Sequence, residues 1–249
     1  MRHRRKFAVM KRQILIITGH PHNETQKAQL HIVGKYYNDY FKSNTGGAYE
    51  DAEITNLETP KVKEIQDLLK EDKKIDFAVL VLIGHGATQE GKQLFQINVD
   101  EIINPGQIEL TLKKQLVVVE SCRVTAISDH PVVDVTDKIA SFKDGGKIKF
   151  PISKAKSKEL YNAGIERCND GLVVCFACDE DEKASKLHFT KALIEMSKNW
   201  SANPQLDSAV ASIQGIMVPV AEHVKKESNN KQSPQILGTE KFPFAISRY

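Results

Sequence analysis

Two apolar runs, each ending in a short polar motif, constrain this chain more than any other feature in it. Phe77-Ala-Val-Leu-Val-Leu-Ile83 passes directly into Gly84-His85-Gly86, and Gln115-Leu-Val-Val-Val-Glu120 passes directly into Ser121-Cys122-Arg123. Runs this rich in Val, Ile and Leu read as strands covered on both faces, as in a parallel sheet. Placed side by side, they would bring an imidazole and a thiol to one carboxyl-end rim, where open α/β sheets keep their chemistry. A cysteine nucleophile with a histidine base is the reading this pattern favours.

The rest of the chain alternates in the same manner. Gln13-Ile-Leu-Ile-Ile-Thr18 predicts a first strand, followed by a helix over 26–42 and a turn at Thr45-Gly46-Gly47. A short second strand over 53–56 and a charged helix over 62–71 precede the strand ending at Ile83. Leu94-Phe-Gln-Ile97 reads as a small excursion, and 99–112 as partly helical around Pro105-Gly106. Helices are expected over 158–168 and 187–198, flanking a fifth strand over 172–177. A further helix should begin near Asp207 and bend or end at Pro219. Phe242-Pro-Phe-Ala-Ile246 fits an edge strand, where proline is tolerated. The expected fold is a three-layer α/β sandwich: a mostly parallel sheet of about six strands with helices on both faces.

A chain of 249 residues suits one such domain with little left for a second. The expected organisation is a basic lead-in over 1–12 and a single domain over 13–249. Its larger part covers about 13–135 and its smaller part about 158–249. Between them, 136–157 forms an exposed connection carrying Lys138, Lys143, Lys147, Lys149, Lys154 and Lys156 around Gly145-Gly146. A net charge of +3 with scattered lysines gives no nucleic-acid footprint. No apolar run approaches a membrane span. Four cysteines without a secretion signal favour reduced thiols and a cytoplasmic setting. The expected partner is a protein or peptide substrate, with the chain a monomer or weak homo-oligomer.

Four further stretches, in order, carry a family resemblance. Gly46-Gly-Ala-Tyr-Glu-Asp-Ala-Glu-Ile54, Ile83-Gly-His-Gly86, Val119-Glu-Ser-Cys-Arg123 and Leu187-His-Phe-Thr-Lys-Ala-Leu193, with Ser233-Pro-Gln-Ile236 after them, resemble segments of the caspase-like superfamily of cysteine peptidases. Its bacterial and metacaspase-type members are the most similar. The departures are an absent glycine after Arg123, Ile83 in place of serine, and a His-to-Cys separation of 122 − 85 = 37 residues. The caspase spacing is nearer about 50.

The resemblance implies a mechanism. His85 would deprotonate Cys122, whose free thiol, with a pKa of about 8.5, is mostly protonated at neutral pH. Cys122 would form an acyl-enzyme, with the backbone N–H groups of Gly86 and Cys122 as oxyanion hole. Glu120 lies two residues before the thiol, where metacaspase-like enzymes carry an acid that faces a basic side chain. That implies cleavage after Arg or Lys. Asp179 and Asp181 lie in an acidic turn that borders the substrate pocket in this family. The turn either adds negative potential, supplies a calcium site or is simply solvated, and its spacing matches no defined cation loop. No cofactor or metal is expected, since Cys175 and Cys178, spaced C-x-x-C, lack a second pair and read as buried thiols. The Lys-rich connection would offer a self-cleavage target.

Two rival readings stand beside this one. A caspase-fold scaffold without activity would carry the same segments. Ile14-Leu-Ile-Ile-Thr-Gly-His-Pro21, with Asn23 and Thr25, also resembles the phosphate loop of flavodoxin-like flavin proteins.

Overall fold

The computed structural model describes residues 10–70, 74–105, 112–123, 152–184 and 187–249. Its centre is a six-stranded sheet built on the apolar runs: β1 (Arg12–Thr18), β2 (Ile54–Glu58), β3 (Phe77–Ile83), β7 (Lys114–Glu120), β8 (Gly171–Phe176) and β10 (Gln235–Leu237). The spatial order is β10-β8-β7-β3-β1-β2, parallel throughout except for β10, which runs antiparallel to β8. The expected sandwich is therefore the one observed.

Strand period explains how both faces are covered. On one face Ile14, Ile16, Val79, Val81, Ile83, Val118, Val173 and Cys175 join a single apolar core. Their alternates Leu15, Ile17, Leu80, Leu82, Val117, Val119, Val174 and Phe176 join a second core on the other face. Four helices cover the first face: α1 (Glu24–Lys42), α3 (Lys154–Glu166), α4 (His188–Ser201) and α5 (Ile213–Glu227). The second face is covered by α2 (Val62–Leu68) through Ile65, and by Phe95 of a small antiparallel sheet. That sheet comprises β4 (Gly86–Gln89), β5 (Lys92–Gln96) and β6 (Ile102–Ile103). Among the described residues, no helix is long and apolar enough to cross a membrane.

Several expectations give way to tertiary context. The small excursion at 94–97 belongs to the hairpin β4–β5, and β6 replaces the expected helical character at 102–103. The sheet's sixth strand, 235–237, begins inside the Ser233–Ile236 segment read as a late Pro-Gln turn. The Pro-containing strand β11 (Pro243–Ile246) pairs instead with β9 (Val210–Ser212), its register slipping between Pro243 and Ala245. Helix α5 starts only at Ile213, capped by Ser212, and Pro219 lies inside it without ending it. Burial of Ile213, Ile216, Met217, Val220 and Val224 along one face outweighs the bond that Pro219 cannot make. Helix α3 begins at Lys154, within the stretch read as an exposed connection. The remainder of that connection lies outside the described residues except for 152–153.

Arg12, placed by the sequence at the end of the basic lead-in, is the first residue of β1 and a core residue. Its guanidinium donates to both carboxylate oxygens of Glu53 at 3.1 Å and to the Gly47 carbonyl at 3.0 Å. It also lies 3.8 Å from the centroid of the Tyr49 ring. This bidentate pair ties the first residue of β1 to the turn that launches β2. Arg12→Met should lower stability by about 2–3 kcal/mol, because the Glu53 carboxylate then loses its closest counter-charge. Urea unfolding of the two proteins measures it.

Candidate active site

The pairing of β3 with β7 sets the geometry. Their register matches Ile83 to Glu120, so His85 and Cys122 each lie two residues beyond a matched pair on neighbouring parallel strands. Such strands run about 4.8 Å apart. The Gly84 N–H donates to the Glu120 carbonyl at 3.2 Å and carries the pairing one residue further. The His85 carbonyl accepts from the Gln96 N–H at 2.9 Å, fixing the turn between β3 and the hairpin.

Gly86 begins β4 against the turn that carries the thiol. A Cβ at this position would come within 2.7 Å of the Cys122 carbonyl oxygen and of Gln93 Nε2, and would collide with Ser121 Oγ. Only a glycine lets this backbone approach so closely. Gly86, and with it the backbone that follows His85, therefore lies against the Cys122 turn.

Cys122 is buried, and its Sγ donates to the Ala184 carbonyl at 3.6 Å. Burial pushes the thiol pKa up, the Glu120 charge adds to this, and the Lys183 charge pulls it back. The thiol form is thus favoured until a base acts on it. The His85 ring has a neighbour that the sequence reading did not include: the His22 ring, from the loop after β1, lies 4.0 Å away centroid to centroid. That loop is shaped by the N-cap bond from Gln26 N–H to Asn23 Oδ1 and by the His22 N–H bond to Gln26 Oε1. Nothing in local sequence signals this contact, which depends on β1 lying beside β3.

Glu120 turns its carboxylate toward the helical face. Its Oε2 accepts from Thr190 Oγ1 of α4 at 2.6 Å and from the Tyr37 hydroxyl of α1 at 3.4 Å. Burial raises its pKa to about 7, the two hydroxyl bonds opposing the rise. Thr190 lies in the segment that resembles the family helix, but its partnership with Tyr37 spans 153 residues of chain.

The acidic turn is engaged with Arg123. The guanidinium donates to Glu180 Oε1 at 3.1 Å, stands 3.9 Å from Asp179 Oδ1, and lies 4.4 Å from the Phe176 ring centroid. The Asp181 N–H donates to the Arg123 carbonyl, and the Arg123 N–H to the Glu182 carbonyl. Glu182 also accepts from the Ser233 N–H and hydroxyl, fastening the turn to the approach of β10. Asp179 and Asp181 therefore sit beside the Cys122 segment, with Asp179 already facing a cation. Among the described residues, no group of three or more His, Cys, Asp or Glu is arranged to hold a metal ion. Cys175 and Cys178 are buried free thiols, and Cys178 Sγ donates to the Ser121 carbonyl at 3.5 Å.

The caspase domain, Peptidase C14, matches residues 38–243, most of the chain, and the chain belongs to that family. This membership sets aside the flavodoxin-like alternative. The Drosophila initiator caspase Dronc superposes with a TM-score of 0.54 at 11% identity, covering 96% of this chain and 82% of Dronc. The structure of pro-sf-caspase-1 gives a TM-score of 0.48 at 12% identity, covering 92% of each chain. No curated protein matches the chain.

Glu120 should leave a signature in stability. A carboxyl whose folded pKa is raised keeps a proton that the unfolded chain releases between pH 4.5 and about 7. Its contribution is full below that window and is lost as pH rises through it. Glu120→Gln should remove this dependence, so that the variant gains on the order of 1–3 kcal/mol relative to wild type between pH 4.5 and pH 8. Urea unfolding at the two pH values checks this.

Proposed function

We propose that the protein is a cysteine endopeptidase in which His85 acts as general base on Cys122. The observation that carries this reading is the level ending of β3 and β7, with Gly86 packed against the Cys122 carbonyl. His85 takes the thiol proton as sulfur attacks the scissile carbonyl, then delivers it to the leaving amine. The backbone N–H groups of Gly86 and Cys122 receive the developing oxyanion, where one such donor is worth about 10²–10³ in kcat. Water then releases the acyl group. The buried, carbonyl-bonded thiol is a resting form, and substrate binding and His85 together activate it.

Glu120 supports specificity for Arg or Lys at the bond cut, its carboxylate being the acidic group nearest the thiol in sequence on the same strand end. Asp179 and Asp181 add negative potential beside it. The bond-breaking step draws on these side chains and backbone groups alone, and the assay with and without calcium reads whether the ion activates it. The metacaspase-type resemblance favours a cytoplasmic enzyme acting as a monomer or weak homo-oligomer. Self-cleavage in the Lys-rich connection over 136–157 follows from the same specificity.

Peptide-library hydrolysis by wild type and Cys122→Ala tests the core of the reading. Wild type should cut after Arg and Lys, and the variant should lose at least about 10³-fold. A folded wild-type protein that cleaves nothing, with or without calcium, would establish the inactive scaffold instead. Selectivity should also depend on pH. The ratio of kcat/KM for an Arg substrate to that for its neutral citrulline analogue should rise as Glu120 ionises through about pH 7, and Glu120→Gln should flatten it. Aged wild-type protein should show new N-termini within the connection, and Cys122→Ala should stay intact.

A further inference from the structure

The hairpin that follows His85 reaches back to the residue that carries the thiol, and one buried side chain makes that connection. Gln93 of β5 is 5% exposed. Its Nε2 donates to the Cys122 carbonyl at 3.1 Å and to the Leu94 carbonyl at 3.0 Å, and lies 3.4 Å from Ser121 Oγ. Its Oε1 accepts from Arg123 Nε at 2.9 Å. One amide thus uses both donor and acceptor ends on consecutive residues, Cys122 and Arg123. The same Nε2 stands where a Cβ on Gly86 would meet it at 2.7 Å, wedged between the two backbone segments that frame the candidate oxyanion site.

In the cavity of about 500 Å³ lined by Lys42, Tyr49, Asp51, Lys154 and Lys158, Lys42 is paired with Asp51 and Lys158 with Glu50 and Glu53. The exposed Val99 and Ile102 have nothing against them to indicate an occupant.

We propose that Gln93 is a positioning residue for the reaction, holding the Cys122–Arg123 peptide plane so that the thiol and the Cys122 N–H face the substrate carbonyl in fixed relation to Gly86. The physical case rests on complementarity. The Cys122 carbonyl is buried within the hairpin and needs a donor there. Arg123 cannot rotate to supply one, because its guanidinium is held by Glu180 and the Phe176 ring and its own carbonyl by Thr88 Oγ1 at 2.8 Å. A side-chain amide is the group that can donate to Cys122 while accepting from Arg123. Glutamate of the same length keeps the Arg123 contact but sets a carboxylate oxygen against the Cys122 carbonyl. Misplacing reacting groups by about 1 Å costs about 10²-fold.

This inference rests on the peptidase reading, and two measurements separate the fate of each. Gln93→Glu and Gln93→Met are compared with wild type by steady-state kinetics on an Arg peptide and by amide hydrogen exchange of the peptide spanning Leu116–Arg123. Both variants should show kcat reduced by about 10–10²-fold, with KM changed less than threefold, and the Cys122 and Arg123 amides should exchange at least about tenfold faster at an unchanged urea midpoint. If Gln93→Glu does not fold, Gln93→Met, which introduces no charge, decides the matter. Unchanged exchange at these amides overturns the positioning role even if kcat falls. A kcat within twofold of wild type in a folded variant overturns it as well. Should wild type cleave nothing, the peptidase reading fails on its own, and the exchange rates still decide whether Gln93 holds this peptide plane.

Discussion

Parallel pairing between β3 and β7 is the constraint on which the site depends. Both strands are buried through their apolar runs, so a one-residue slip would exchange two complete sets of side chains between the opposed cores. Register is therefore strongly specified by burial, and through it the level at which each strand ends. An imidazole two residues past one end and a thiol two residues past the other follow from that register.

Around this pair the fold arranges two different electrostatic neighbourhoods. On the helical side, the Glu120 carboxylate is enclosed with two hydroxyls, and burial lifts its pKa toward neutrality against their opposing bonds. On the hairpin side, Arg123 is surrounded by Glu180, Asp179, Gln93 and an aromatic face, so its charge is met locally. The segment that carries the thiol thus runs from a buried acid to a paired cation. The family relationship carries the peptidase class, and these contacts give that class a specific form in this chain.

Far from the site, the Arg12–Glu53 pair plays a comparable organising part for β1 and β2. The bidentate geometry and the Tyr49 ring fix where β1 begins. Since β1 lies beside β3, that placement also brings the His22 loop over the His85 ring. A charged residue at the end of a basic lead-in is thus a core element of the fold.

The long apolar strands, α1, α4, the order of His85 and Cys122, and the caspase-like class were all legible in the sequence, because apolar period and run length act locally. The short strands were not: β4, β6, β9 and β10 have two to four residues each, too few for a period to register, and exist because a neighbour offers hydrogen bonds. Pro219 misled for the same reason, since a local breaker was outweighed by a buried face that only packing supplies. The same division holds at the site. The sequence by itself determined on which rim His85 and Cys122 would stand. Only the tertiary structure decided that Gln93 bridges Cys122 and Arg123, that His22 lies on His85, and that Tyr37 and Thr190 share Glu120. These contacts join segments far apart in the chain, and register, not composition, sets which side chains come within bonding distance.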